Sequence, residues 1–142
     1  MDEAARTKHL ELIQAVVSRL AHNSFVYKGW AVTIVSAIFV LATKDPNPLY
    51  LLIALVPTLA FWGLDSYYLR QERLFRKLYD RMRVKPLVEW QNDPFSMNTD
   101  PCKGEVKTWL QTCRSTTIWP LYLSLIGVIL LAFTLAVVLR QC

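Results

Sequence analysis

Histidine, cysteine and glycine are scarce in this 142-residue chain, and the motifs built from them are missing. The two histidines, His9 and His22, have no metal-ligand spacing to a cysteine or carboxylate cluster. The three cysteines are Cys102, Cys113 and Cys142. Because their number is odd and they include no CxxC pair, we expect free thiols in preference to a disulfide or a metal site. Glycine-rich phosphate loops and nucleophile motifs are also absent. We therefore expect no catalytic residues, no metal and no cofactor, and we do not expect an enzyme.

The amino-terminal region lacks a long uncharged run. Residues 1–28 carry seven charged side chains ahead of the first apolar block, so we do not expect a cleavable signal peptide. The chain also lacks a Gly/Ser-rich linker and an internal repeat, and its length suits about one domain. We expect residues 1–142 to form a single domain.

Hydrophobic residues are abundant, at 54% of the chain, and they are concentrated in three blocks. The last block, Ile118–Leu139, has 22 residues without a charge, and roughly 20 are enough to span a bilayer. Gly29–Thr43 and Leu49–Leu64 are shorter, and flanking residues such as Lys28 and Arg70 would extend them to the interface. A buried helix of a soluble protein is the alternative for a short block. The predicted fold is an all-α integral membrane protein with spans over 25–43, 49–69 and 116–139.

The distribution of positive charge predicts the orientation of these spans. Of the sixteen lysines and arginines, four lie in 1–28 and ten in 70–114, so fourteen are on one side if these segments share it. The positive-inside rule assigns that side to the cytoplasm. We therefore expect a cytoplasmic N-terminus, an exterior Lys44–Pro48 turn, a cytoplasmic 70–115 region of helices and loop, and Cys142 outside.

Apolar residues recur with a helical period ahead of the first span, at Leu10, Ile13, Val17 and Leu20. This pattern predicts an amphipathic helix over 3–24. The helix either continues into the span or bends near Asn23. It either lies on the membrane surface or, as we favour, packs on its own copies or on the 70–83 helix.

The turn KDPNP at 44–48 has two prolines within three residues, which predicts a helical hairpin with almost no exterior domain. Beyond it, Pro57 is expected to kink the second span. That helix is predicted to leave the membrane and continue to about Arg83, so that one long helix joins the membrane to the cytoplasm.

Few polar side chains lie within the spans. In the first span, Thr33 and Ser36 share one side with small residues, which is typical either of helix packing or of the wall of a polar pathway. In the second span, Asp65 requires protein, water or a cation nearby because a charge in lipid is costly. Lys28, at the same depth, is its expected partner. Thr33, Ser36 and Asp65 are our candidate pore or gating residues, and a simple interfacial ion pair is the alternative for Asp65.

A basic stripe on the predicted 70–83 helix is our candidate ligand site: Arg70, Arg73, Lys77 and Arg81, with Arg19 and Lys28 as additions. Such a stripe beside a membrane suits anionic lipid head groups. It suits a nucleotide or an oligonucleotide equally well, because both are polyanions.

After Pro86 the chain is predicted to be loop-like over 84–101. Asp100-Pro101 suits a helix start, and the apolar spacing that follows predicts one short helix leading into the third span: Val106, Trp109, Leu110 and Cys113. Trp90 and Trp109 are expected to be core or interface anchors, with base stacking as the alternative.

The layout of the whole chain resembles the small membrane effectors of bacterial anti-phage defence, including SLATT-type effectors and the membrane partner of Hailong systems. The resemblance rests on the basic amphipathic N-terminal helix, the KDPNP hairpin, the exit helix LDSYYLRQERLFRKLYDRMR and the last span. The third span departs from the two-span SLATT layout. The resemblance implies a homo-oligomeric membrane pore or disrupting effector, controlled by a partner nucleotidyltransferase through a nucleotide or oligonucleotide signal. We expect it in the bacterial inner membrane.

Two functions are compatible with these features. The first is a homo-oligomeric channel-like effector that an anionic signal gates from the cytoplasm. The second is a non-catalytic membrane anchor or assembly subunit that recruits a soluble partner through residues 70–115.

Overall fold

The computed structural model describes residues 2–44 and 47–141, and within these ranges the chain forms helices without a strand. Asp45 and Pro46, in the middle of the predicted turn, lie outside them. The α-helices are α1 Asp2–Ala42, α2 Leu49–Ile53, α3 Leu55–Val84, α4 Leu87–Trp90, α5 Trp109–Cys113 and α6 Trp119–Gln141. A 3₁₀ helix occupies Asp100–Glu105.

Helix α1 is continuous from the N-terminal region through the first apolar block, without a bend at Asn23. Neither proline nor a glycine pair interrupts this stretch, so nothing in its sequence opens the helical hydrogen-bond ladder. Its 41 residues correspond to a length of about 61 Å, twice the roughly 30 Å hydrocarbon core of a bilayer. The helix can therefore cross a membrane and still extend well beyond it.

Helices α1 and α3 form an antiparallel hairpin along most of their length. Arg6 contacts the end of α3 and Ser24 contacts its middle, which fixes the direction of the pairing. Near the N-terminus, Ile13 packs in one apolar cluster with Leu74 and Leu78, so segment 3–24 lies on the 70–83 part of α3. This is the arrangement that we favoured from the sequence.

A break at Ala54 separates α2 from α3 within the second apolar block. The Ala54 N–H donates to Leu51 O at 3.2 Å, as in a tight turn, and the helical pattern restarts with Thr58 N donating to Ala54 O at 3.3 Å. Pro57 has no N–H for the carbonyl four residues earlier, which accounts for the irregularity. The structure thus has a break at Ala54, three residues before Pro57, where the sequence predicted a kink.

The region between α3 and α6 differs from the predicted single helix. The 3₁₀ helix ends at Glu105, Val106 is extended, and α5 starts anew after Thr108. Thr108 and Gln111 form a capping box, in which each side chain accepts from the other residue's backbone N–H. The prediction of one helix from Asp100 to Cys113 was wrong because this capping box specifies a separate helix start.

Among the described residues, three helices are long and apolar enough to cross a membrane: Glu3–Ala42, Leu49–Val84 and Trp119–Gln141, the second counted across the break at Ala54. Helix α6 packs on the hairpin through Tyr122 and Ile129, both fully buried. The described chain is therefore all-helical with three candidate membrane spans, as the apolar blocks predicted. We call the part formed by residues 2–24 and 70–115 the basic end.

Candidate functional site

The Lys28 side chain of α1 and the Asp65 side chain of α3 form an ion pair between the two helices. The Lys28 Nζ atom lies 2.8 Å from Asp65 Oδ1 and 2.7 Å from Oδ2. Asp65 is fully buried, whereas the Lys28 side chain keeps 21% of its exposure. The pairing predicted from the sequence is confirmed, and its position within two candidate spans explains why each charge needs the other.

Ser24 and Tyr122 complete the surroundings of this ion pair. Lys28 Nζ donates to Ser24 Oγ at 2.9 Å, and Ser24 Oγ donates to Asp65 Oδ1. Tyr122 of α6 lies beside Asp65 and donates its hydroxyl proton to Phe61 O at 3.3 Å. Asp65 Oδ2 is close to Lys28 but accepts no well-aligned hydrogen bond within the described chain. The site therefore joins α1 and α3 by direct bonds and has α6 as its third wall.

Thr33 and Ser36 lie on a different face from Asp65. Both are exposed. Ala31 and Val35, on the same helix, are buried and face the interior of the hairpin. Thr33 Oγ1 donates to its own helix, at Gly29 O, over 2.9 Å. The structure therefore does not bring the three candidate pathway residues together within one chain.

The basic stripe on α3 is largely engaged with the segment before α6. Arg70 Nε donates to Lys107 O at 3.3 Å, and Arg73 Nη2 donates to Ser115 Oγ at 2.8 Å. Glu105 binds the other two members, Arg81 through a hydrogen-bonded ion pair and Lys77 at 3.8 Å. The stripe thus holds residues 105–115 against α3.

An open cleft of about 370 Å³ remains beside the stripe, and we call it the cationic cleft. Its lining residues are Arg73, Arg76, Lys77, Asp80, Glu105, Val106 and Lys107. Four of them are basic and two are acidic, so the cleft has an excess of positive charge. Lys107 joins it only because the chain folds back onto α3, and residue spacing along the helix could not reveal that.

The two additional candidates, Arg19 and Lys28, do not reach this cleft. Arg19 is exposed and lies two residues from the buried Val17, on the side of α1 that faces away from α3. Lys28 is paired with Asp65. The predicted ligand residues therefore do not form one site. The stripe lies at or near the cationic cleft, Lys28 is in an ion pair, and Arg19 is exposed elsewhere.

A polar site that the sequence did not indicate lies at His9. This fully buried side chain accepts from Trp90 Nε1 through Nδ1 at 2.9 Å, and its Nε2 lies 3.0 Å from Ser96 O. Since Nδ1 accepts, Nε2 must carry the ring proton, and Nε2–H donates a hydrogen bond to Ser96 O. His9 thereby attaches α4 and the following loop to α1. His9 and Trp90 are 81 positions apart in the sequence, so no residue spacing indicates their contact.

Cysteine, histidine and carboxylate side chains are dispersed in residues 2–44 and 47–141, where no group of three or more is placed to hold a metal ion. Compared with known proteins, the chain matches no family model, no curated protein and no solved structure.

Proposed function

We propose that this protein is a homo-oligomeric membrane effector that forms a channel or pore, gated from the cytoplasm by an anionic nucleotide or oligonucleotide in anti-phage defence. The observation that carries the proposal is the placement of two sites on one helix. Asp65 and the cationic cleft at Lys77 are both on α3, about 18 Å apart along its axis. A change at the cleft thus reaches the membrane site through a continuous helix.

In this proposal the orientation follows the distribution of charge. The basic end, with the amphipathic helix and the extension of α3, lies in the cytoplasm of a bacterium. The spans cross the inner membrane, and the C-terminus lies outside. A partner nucleotidyltransferase supplies the signal, as the resemblance to anti-phage effectors implies.

In this proposal the ligand gates the channel by competing with Glu105 for basic side chains of α3. Glu105 forms ion pairs with Lys77 and Arg81 in the present arrangement and offsets one of their two charges. A polyanion that binds the cleft competes with Glu105 and favours an arrangement in which residues 105–115 are displaced. Because these residues lead directly into α6, the displacement biases the position of the third span. A ligand shifts such an equilibrium only by its difference in affinity for the two arrangements.

Assembly supplies the pore. Three spans are too few to enclose a conduit, whereas several copies can place the exposed Thr33 and Ser36 face of α1 around a common axis. In that arrangement Lys28 and Asp65 fix α1 on α3 and act through the position of α1, instead of contacting the permeating ion.

Planar-bilayer recording with purified protein tests the proposal. We expect conductance that responds to short oligonucleotides, a response lost in a variant carrying Arg76→Gln and Lys77→Gln, and a response at lower concentration in Glu105→Gln. Arg19→Gln is the matched control, since Arg19 faces away from the cleft. A protein that shows no conductance, with or without oligonucleotides, would contradict the proposal.

The anchor function is favoured by one observation, the use of stripe residues to hold residues 105–115. An anchor needs an ordered docking surface and no pathway. The substitutions Thr33→Val and Ser36→Ala distinguish the two functions, because an anchor would keep its full activity in cells. We expect the channel to lose conductance in the same variant while its folding is unchanged.

A further inference from the structure

A second cleft, of about 400 Å³, lies between α3, the turn at 114–118 and the start of α6. We call it the interfacial cleft, and its lining residues are Trp62, Arg114, Trp119 and Leu123. The Trp62 ring is stacked on Tyr122, with centroids 5.9 Å apart and planes 3° apart. Trp62 Nε1 also donates to Cys113 O at 3.0 Å, which places Arg114 at the edge of the cleft.

Trp62 uses its indole N–H within the chain, but two other polar groups of the interfacial cleft are not bonded in its described part. In the part of the chain that the structure describes, the Arg114 guanidinium and the Trp119 indole N–H have no hydrogen-bond or ion-pair partner. None of the lining residues is acidic. Arg73 and Arg81, in contrast, are both bonded within the chain. The interfacial cleft therefore presents two free donors and a positive charge.

The lining residues are ordered by depth along the third candidate span. Arg114 precedes the span, Trp119 is its first residue, and Leu123 follows one helical turn, about 6 Å, farther in. Trp119 is 40% exposed and Leu123 is 46% exposed, so both are accessible from outside the bundle. Arginine and tryptophan suit the head-group region and leucine suits the hydrocarbon.

We propose that the interfacial cleft binds an anionic phospholipid. The lipid phosphate accepts from Arg114 and the Trp119 indole, and the first part of an acyl chain lies along Leu123. Basic pockets between spans are known to hold acidic head groups on the cytoplasmic side. A soluble phosphate compound would use the arginine but would leave the apolar wall below it unoccupied. The bound lipid bridges α3 and α6, and this proposal does not depend on the channel function.

Native mass spectrometry of the detergent-solubilised protein tests the site. We expect phosphatidylglycerol to bind with a clear preference over phosphatidylcholine, and Arg114→Gln to weaken that binding about tenfold, as expected for the loss of a charge-assisted hydrogen bond. Trp119→Phe, which removes only the donor, should have a smaller effect. Arg83→Gln is the control, because Arg83 is an exposed arginine of the basic end outside this cleft.

A second measurement uses the wild-type protein and therefore tests the proposal even if Arg114→Gln folds poorly. Phosphatidylglycerol should raise the melting temperature of the wild-type protein, and inorganic phosphate at millimolar concentration should neither raise it nor displace the lipid. Equal binding of the two lipids by the wild-type protein overturns the proposal, whatever the variants do. Unchanged lipid affinity in folded Arg114→Gln, or displacement of the lipid by phosphate alone, overturns it as well.

Discussion

Asp65 is the residue whose surroundings constrain the hairpin most strongly. A lone carboxylate at this depth is expensive, and the sequence placed one cation, Lys28, at a matching level of the neighbouring span. That reasoning was sufficient to predict the pair, which the structure confirms at 2.7–2.8 Å. It could not predict Ser24 or Tyr122, because a serine and a tyrosine in a span have many possible partners. The polar neighbours of a buried charge depend on packing that residue spacing does not encode.

Removal of one charge should destabilise the hairpin far more than removal of both. We expect Asp65→Asn or Lys28→Met alone to lower the free energy of unfolding by about 3 kcal/mol, because each leaves a buried polar group without its partner. The combination Lys28→Met with Asp65→Leu should recover most of this loss, since an apolar pair of similar volume packs in the same place. Unfolding in mixed micelles, followed by circular dichroism, measures the values.

An exposed pair on the same helix provides the control. Lys8 and Glu11 are 2.9 Å apart, but their side chains are 65% and 60% exposed. The same cycle of substitutions there should give a coupling of about 0.5 kcal/mol or less. Equal coupling energies at the two pairs would contradict the importance we assign to burial.

Cys102 gives a prediction about reactivity. Its side chain is fully buried, and burial, with the nearby Glu105, raises the pKa of the thiol although Arg81 and Lys77 lower it. Because the thiolate is the reactive form, a Cys113→Ser, Cys142→Ser protein should react more slowly with N-ethylmaleimide when folded than when denatured. The rate should increase with pH. Equal rates in the folded and denatured states would show that Cys102 is accessible.

The raised pKa also sets the sign of a pH effect on stability. The folded protein holds the Cys102 proton more tightly than the unfolded chain does. This contribution to stability is therefore complete below the ordinary thiol pKa and is lost as the pH rises through the folded value.

At the level of elements, the helices were predictable where one pattern dominates a long stretch. The uninterrupted period of α1 and the extension of α3 to Val84 follow from apolar spacing with no internal breaker beyond Pro57. Residues 100–113 were not predictable in the same way. Their apolar spacing fits one helix, but the reciprocal bonds of Thr108 and Gln111 start a new helix there. A local hydrogen-bond motif prevailed over the periodicity of the segment.

The capping box therefore gives an element-level prediction. Thr108→Ala should cost about 1 kcal/mol locally, because Gln111 loses the acceptor for its backbone N–H. Hydrogen exchange of residues 109–113 should become faster while exchange in α3 stays unchanged, since Trp109 is still bonded to Gly63 O at 3.1 Å. Thr116→Ala, at an exposed threonine outside α5, is the control. Identical exchange in the two variants would contradict a structural role for the box.

At the level of the whole molecule, the three candidate spans were predictable from length and hydrophobicity, and the hairpin from the two prolines of the 44–48 turn. The side of each helix that packs on its neighbours was not predictable in this way. Tyr122 and Ile129 turn inward from a helix that is apolar on every side, so its sequence carries little directional information. Nor could the sequence show that Thr33 is exposed on α1 while Asp65 is buried between α1 and α3.

Homo-oligomer formation leads to a prediction at Gly29. A Cβ atom added there meets no atom within 4 Å in the single chain and the position is exposed, so we expect Gly29→Leu to fold normally. If copies associate through the exposed face of α1, the added bulk should shift the protein towards monomers, because small residues allow close helix approach. Light scattering in detergent measures the mass. Gly127→Leu, also in open space but on α6, is the control.

The Lys28–Asp65 pair also bears on how the chain enters a membrane during synthesis. Insertion of α3 alone would carry an unpaired carboxylate towards the hydrocarbon, at a cost of about 3 kcal/mol. The connection from α1 to α3 consists of residues 43–54, which include α2, so Lys28 is available to Asp65 once the second candidate span has left the translocon. The hairpin is therefore suited to enter the bilayer as one unit, with each helix neutralising the charge that would delay the other.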